Sequence, residues 1–200
     1  MTFQLPHIIS WAHRLAEEIL NHGDLAVDLT AGRGRDTLHL AKMVGPSGCV
    51  VAFDIQQQAI TETRQLLTQE DIASDVLERP LTGAFPPGVF LVQGDHANLH
   101  SYVSTSPRVV MANLGYLPGG DHGVTTTPES TVVALKTSLE ILAPGGRLVC
   151  VLYTGHPGGT DEAGAVEALF TKLTSRDWFV LRFQVANRKQ APYLLVAEKR

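Results

Sequence analysis

Cysteine is scarce. Cys49 and Cys150 are the only two in 200 residues, and both fall inside apolar, strand-like runs. That setting favours buried, reduced thiols over a disulfide. No Cys-x-x-Cys pair is present, which excludes the common zinc frameworks, and no metal is expected. Long hydrophobic runs are missing too: stretches such as residues 147–153 fall far short of the ~20 residues a membrane-spanning helix needs. The first seven residues, Met1 to His7, lack the basic region and apolar stretch of a secretory signal. Charged residues make up only 18% against 44% hydrophobic, a balance that supports a real core and excludes a disordered tail. A single cytoplasmic domain over residues 1–200, with no membrane partner, is the expectation.

The net charge of −4 argues against indiscriminate nucleic-acid binding, so DNA is not an expected partner. The charge is unevenly placed, however. Residues 172–200 carry seven Lys/Arg against two acids, or +5, while residues 1–171 carry −9. A basic end on an acidic body creates a local field that attracts phosphates. A solvated basic edge hairpin is the alternative.

Leu5, Ile8, Ile9, Ala12, Leu15, Ala16, Ile19 and Leu20 repeat at helical spacing and predict an amphipathic helix over 4–21. Apolar runs at 25–29, 49–53, 89–92, 108–112, 147–153, 178–185 and 193–198 read as seven strands, with helical periodicity between most of them. Residues 69–88 break the pattern with Pro80, Gly83, Pro86, Pro87 and Gly88, and predict a surface excursion with a short helix near 72–77. Thr126 or Thr127 caps a helix that has Pro128 in its first turn. The alternation predicts an α/β fold: a doubly wound, Rossmann-like, mostly parallel seven-stranded sheet ending in an antiparallel hairpin. Ligands of such sheets gather beyond the carboxyl ends of the strands. Asp28, Asp54, Asp95 and Asn113 each fall at or just past such an end, which points to one shared site.

The turn after the first strand reads Gly32-Arg33-Gly34-Arg35-Asp36-Thr37. A dinucleotide site wants a third glycine or alanine where Thr37 stands, and a pyrophosphate against the helix start. Asp28 and Asp36 bracket the turn and would repel that pyrophosphate. S-adenosylmethionine carries an ammonium and a sulfonium instead, which nearby carboxylates stabilise. The acidic turn therefore favours S-adenosylmethionine as cofactor. Asp54 suits the ribose hydroxyls, though a helix N-cap and a dinucleotide ribose would use it equally well. Asp95 suits the adenine amino group, and His96 either packs on that ring or fills the rim.

These residues resemble a class I S-adenosylmethionine-dependent methyltransferase over nearly the whole chain. Asp28-Leu29-Thr30-Ala31-Gly32-Arg33-Gly34 is similar to its first motif, and residues 142–148, Leu-Ala-Pro-Gly-Gly-Arg-Leu, to the turn into its fifth strand. More narrowly, Arg35-Asp36-Thr37-Leu38, Phe53-Asp54-Ile55-Gln56, the string Asn-Leu-Gly-Tyr-Leu-Pro-Gly-Gly-Asp at 113–121 and Gly155-His156-Pro157-Gly158-Gly159 resemble the family described as putative ribosomal-RNA methylases. Members of that family are linked to methylation of 5-aminomethyl-(2-thio)uridine at the tRNA wobble position. Arg33 departs from the Asn usual there. The resemblance implies cofactor contacts from Asp28, Thr30, Gly32, Arg33, Gly34, Asp36, Thr37, Asp54, Gln56, Asp95, His96 and Asn113, and a tRNA substrate held near its anticodon.

Asn113-Leu114-Gly115-Tyr116 is also similar to the Asn-Pro-Pro-Tyr loop of amino-group methyltransferases. The resemblance implies that the Asn113 side-chain oxygen and the Leu114 carbonyl accept from the target amine, with Tyr116 walling the pocket or stacking on the base. An Asn113 that caps its own loop is the alternative. An alkylamine must lose a proton before attack, and Asp121, His122 and His156 lie on loops expected to border the pocket. Asp121 and His156 are the preferred acceptors; His7, His13, His22, His39 and His100 read as surface residues. Methylation of a small amine or of another RNA position, a noncatalytic cofactor- or RNA-binding module, and a nicotinamide oxidoreductase, which the missing third glycine weakens, are the competing functions. A homodimer is compatible with the sequence, which does not fix the oligomeric state.

Overall fold

The computed structural model describes residues 7–81, 85–115, 126–155, 157–188 and 190–200. The apolar runs form one sheet from β1 (Leu25–Asp28), β2 (Cys49–Asp54), β3 (Ser74–Val76), β4 (Gly88–Gln93), β5 (Val109–Leu114), β6 (Arg147–Leu152), β7 (Trp178–Phe183) and β8 (Tyr193–Lys199). Their order across the sheet is β3-β4-β2-β1-β5-β6-β8-β7. The first six pair in parallel, and β8 runs antiparallel to both β6 and β7.

Among the described residues six helices cover the sheet: α1 (Ile8–Glu17), α2 (Arg35–Val44), α3 (Gln57–Gln69), α4 (Leu99–Tyr102), α5 (Pro128–Ile141) and α6 (Gly159–Phe170). Apolar side chains of α1, α2 and α3 form one core with Ala26 and Val50 of the sheet. Those of α4, α5 and α6 form a second core with Val27 and Val51. Strands covered on both faces must be apolar at consecutive positions, which is why β1, β2 and β5 read as unbroken runs. Burying a side chain such as Phe53 or Leu135, both fully enclosed, contributes roughly 1.5–3 kcal/mol. Cys49 and Cys150 are buried and free, and burial pushes both thiols up, Cys49 to about 12.

Two expectations are corrected. The sheet has eight strands, because Ser74–Val76 pairs with β4 instead of forming a helix near 72–77. The backbone of β4 would otherwise offer an open edge, and the excursion satisfies it, continuing with Leu77 N–H donating to the Leu91 carbonyl at 2.8 Å. The first helix is also shorter than 4–21. It ends at Glu17 because Asn21 N–H is taken by the Asp24 carboxylate at 2.8 Å, which turns the chain into β1; residues 1–6 lie outside the described set. Thr127 is the cap of α5, its hydroxyl accepting from Ser130 N–H.

The site follows from the strand order. β2 lies on one side of β1 and β5 on the other, so the chain reverses its winding between β1 and β5 and a crevice opens at their carboxyl ends. Among the described residues no helix is long and apolar enough to cross a membrane.

Candidate active site

The turn leaving β1 is built from the backbone outward. Leu29 N–H donates to the Met111 carbonyl at 2.8 Å and Ala31 N–H to the Phe53 carbonyl at 2.7 Å, so the turn lies across the ends of β5 and β2. Gly34 then starts α2 with φ of +79°, where a side chain is strained. A Cβ there would also meet the Thr63 Cα at 2.8 Å, so α3 can seat against the turn only because position 34 has none.

Asp28 is wholly buried beneath this turn. Its carboxylate accepts from Thr30 N–H at 3.0 Å and from the Thr37 hydroxyl at 2.6 Å. Burial pushes its carboxyl up to about 7, the neighbouring negative Asp36 adds to this, and the two threonine bonds pull the other way. Thr37, fully buried, thus fills the third-glycine position of a dinucleotide fingerprint with a side chain the turn requires.

Asp54, at the end of β2, accepts from Gly32 N–H and Gln56 N–H, both at 2.9 Å. It braces the glycine turn and starts the bend into α3. Burial raises its carboxyl, and those backbone donors lower it. Asp95 caps the 3-10 turn His96–Asn98 by accepting from Ala97 N–H at 2.8 Å. His96 is buried, its Nδ1 donating to the Leu29 carbonyl at 3.0 Å, while its Nε2 has no hydrogen-bond partner among the described residues. Arg33 is half-exposed and lies 3.4 Å from Glu62 of α3.

Asn113, near the end of β5, is tied to the same turn. Its backbone N–H donates to the Thr30 hydroxyl at 2.7 Å, and its Nδ2 to Asp36 at 3.3 Å. Asp36 also receives His13 Nε2 of α1 at 2.7 Å, and the His13 ring stacks on His39 of α2, with centroids 3.9 Å apart. Reading His13 and His39 as surface residues is therefore corrected. The visible signal was modest: His13 follows Ala12 on the apolar stripe of α1, beside the buried face. Glu162 was missed altogether. It is buried, and it accepts from the Thr126 and Thr131 hydroxyls at 2.8 and 2.6 Å. Thr126 N–H in turn donates to the Gly115 carbonyl at 3.2 Å, closing the base of the segment that carries Tyr116 and Asp121. Tyr116, Asp121, His122 and His156 themselves lie outside the described residues.

The chemistry of this donor set can be tested against the two cofactors. Asp28, Asp36 and Asp54 surround the turn, and its one cationic side chain between the glycines, Arg33, faces Glu62. Such a set suits hydroxyl donors and cationic groups, and it opposes a pyrophosphate. The residues fit S-adenosylmethionine.

Known proteins agree with this chemistry. Residues 50–199 match the family described as putative rRNA methylase. The chain is 40% identical over 196 residues to a chloroplastic tRNA (mnm(5)s(2)U34)-methyltransferase of Arabidopsis thaliana, an alignment spanning 94% of this chain and 68% of that protein. The crystal structure of a putative rRNA-methylase from Clostridium thermocellum superposes with a TM-score of 0.88 at 33% identity, over 99% of this chain and 100% of that one. A putative methyltransferase from Streptococcus mutans, crystallised in complex with SAH, gives 0.83 at 31% identity, over 98% and 100%. The acidic glycine turn and the braced Asp54 thus have their explanation in kinship: the chain belongs to the putative rRNA methylase family and is an S-adenosylmethionine-dependent methyltransferase.

Proposed function

We propose that this enzyme methylates RNA, and that its target is the aminomethyl nitrogen of 5-aminomethyl-(2-thio)uridine at the tRNA wobble position. The observation that carries the reading is Asn113. Asp36 holds the nitrogen end of its amide, so the acceptor oxygen is turned away from Asp36. An acceptor at the end of β5 is what a target amine needs to be aimed. The likeness to a plant tRNA (mnm(5)s(2)U34)-methyltransferase supports the same nucleoside.

S-adenosylmethionine supplies an electrophilic methyl group when bound. Asp54 would receive its ribose hydroxyls, with Asp95 and His96 toward the adenine. Gly32 and Gly34 would let the backbone approach it, and Asp28 and Asp36 would stabilise its cationic end. Thr30, Arg33, Thr37 and Gln56 shape that turn. The substrate ammonium first gives up a proton, for which Asp121 and His156 are the proposed acceptors. Asn113 Oδ1 and the Leu114 carbonyl then accept the remaining N–H groups and direct the lone pair along the line of transfer. The nitrogen would gain the methyl group as the methyl–sulfur bond breaks with its electron pair going to sulfur, so the product would be a secondary ammonium and a neutral thioether. Tyr116 would stack on the base.

The register supports RNA docking at this edge. Leu114 pairs with Leu152 and Leu152 with Tyr193, so the β7–β8 turn emerges at the same end of the sheet as Asn113, with β6 between them. Next to it Thr154, Thr160, Gln184 and Arg182 line a cleft of about 260 Å³. Arg188 of the β7–β8 turn makes no ion pair among the described residues, which leaves it for phosphates, whereas Lys172 and Arg176 precede β7 at the opposite end of the sheet. Arg182 pairs with Glu167 at 2.8 Å, and Lys199 donates to the Leu139, Glu140 and Leu142 carbonyls at the end of α5, so the basic end serves the fold as well.

The test combines mass spectrometry of tRNA nucleosides from cells with and without the protein and kinetics of Asn113→Ala. The wobble methyl should vanish, and kcat should fall by about 10²-fold while cofactor affinity holds. Equal loss of both would make Asn113 a cofactor ligand. Saturation by a free amine with no salt dependence would instead mark a small-amine enzyme.

A further inference from the structure

We propose that His13, on the N-terminal helix, is a positioning residue for methyl transfer: through Asp36 it fixes the amide of Asn113 with its oxygen toward the target amine. The proposal rests on Asn113 as the amine acceptor and adds the groups that orient it.

The amide is oriented by the sign of its hydrogen bonds. An amide offers a donor at one end and an acceptor at the other, and rotating it by half a turn exchanges them. A carboxylate only accepts, so Asp36 beside Asn113 takes the amide nitrogen and leaves the oxygen on the opposite side. Asp36 is itself held in place by His13, whose Nε2 lies 2.7 Å from its other oxygen. Both partners are sheltered, with side-chain exposures of 23% for His13 and 8% for Asp36. Without His13 the carboxylate beside the buried Asp28 would lose its 2.7 Å donor and keep the longer 3.3 Å bond from Asn113, which holds it less firmly.

The surroundings favour His13 as the donor. From α2, Asp36 and His39 face it; from α1, Glu17 lies near His39, its Oε1 3.5 Å from the His39 Nε2. His39 is biased toward its neutral form by burial and then by His13. Arg147 of β6, which also meets α1, is engaged by Glu18, Glu198 and the Leu15 carbonyl. The two histidines come from different helices, so α1 is part of the site and not only a cover for the sheet.

Four variants test this: His13→Ala, His13→Gln, His13→Glu and Asp36→Asn. Gln places an N–H donor where Nε2 stands, and Glu has the same size but only accepts. In single-turnover methylation of tRNA, His13→Ala and His13→Glu should lower the rate roughly ten- to hundredfold. In the His13 variants the dissociation constant for SAH should stay within about threefold, because the Asp36 carboxylate is kept and only its hold on Asn113 changes; Asp36→Asn removes a carboxylate placed beside the cofactor and is read by amide exchange and by the double variant. Gln should recover most of the rate, and adding His13→Ala to Asp36→Asn should cost nothing further. A second readout needs no substrate. The Asn113 side-chain amide protons of the SAH complex should exchange slowly in wild type and His13→Gln, and faster in His13→Ala, His13→Glu and Asp36→Asn. Failure of tRNA methylation with this exchange pattern intact would overturn the substrate and spare the network. Equal rates and equal exchange in the Gln and Glu variants would overturn the network, as would His13 and Asp36 effects that multiply. If His13→Ala does not fold, the Gln and Glu pair decides alone.

Discussion

Asp28→Asn should make the enzyme more stable above neutrality and weaken its grip on the cofactor. Asn has nearly the shape of Asp, can accept from Thr30 N–H and can donate to a rotated Thr37 hydroxyl, so both contacts survive without a charge. The wild-type carboxyl is raised from 3.8 to about 7 in the fold. The folded state therefore keeps its proton over a range where the unfolded chain has lost it. Stability linked to this proton is fully present at acid pH, declines above about pH 4 and is gone above about 7. At ~1.4 kcal/mol per pH unit that span corresponds to ~4 kcal/mol for a rigid site, and relaxation of the turn brings it to about 2–4 kcal/mol. Urea unfolding of wild type and Asp28→Asn at pH 4.5 and 8 measures it: the two should agree at the lower pH and diverge in favour of Asn at the higher. A cationic cofactor end should draw the proton off Asp28, so wild-type affinity for S-adenosylmethionine should rise between pH 6 and 8 more steeply than that of Asp28→Asn. Parallel stability curves at both pH values would refute the reasoning.

Three other substitutions probe separate parts of the site. Asp54→Ala leaves Gly32 and Gln56 N–H groups unpaired as well as removing the ribose acceptor, and calorimetric titration should show cofactor affinity weakened by ~1–3 kcal/mol. Gly34→Ala meets the Thr63 backbone at a positive φ and should lower the unfolding free energy by about 2 kcal/mol or more, read from denaturant melts. Replacing Arg188 and Lys189 together by Ala should weaken tRNA binding and flatten its dependence on salt by about one phosphate contact per removed charge; an unchanged slope would move the docking surface elsewhere.

The sheet and its crevice were legible because periodicity is a local property. Val50 and Val51, adjacent and both apolar, already require cover on both faces, and the acids at 28 and 54 already lie at strand ends. The strand at Ser74–Val76 was not legible: only Ser74 is even partly buried, so nothing in its composition records the neighbour that recruits it. His13 was misread for a related reason. Its partner Asp36 lies 23 residues away on another helix, and no pattern within either segment reports their meeting. Glu162 shows the same limit, since a glutamate in the first turn of a helix normally reads as a solvated end, and only the return of the chain at Thr126 and Thr131 encloses it.

The place of β8 between β6 and β7 has a consequence for how the chain assembles. β7 is made first but finds no partner until β8 has been synthesised and has slipped in beside β6. Until then the edge of β6, with Leu148, Cys150 and Leu152 along it, stands bare, and Trp178 and Phe183 have nowhere to pack. The sheet thus closes from its penultimate position, by long-range pairing, which is the slow kind of contact to form. A ribosome that stalls before residue 193 would release a chain with an open apolar edge and a homeless strand, ready material for proteolysis or for pairing with another copy.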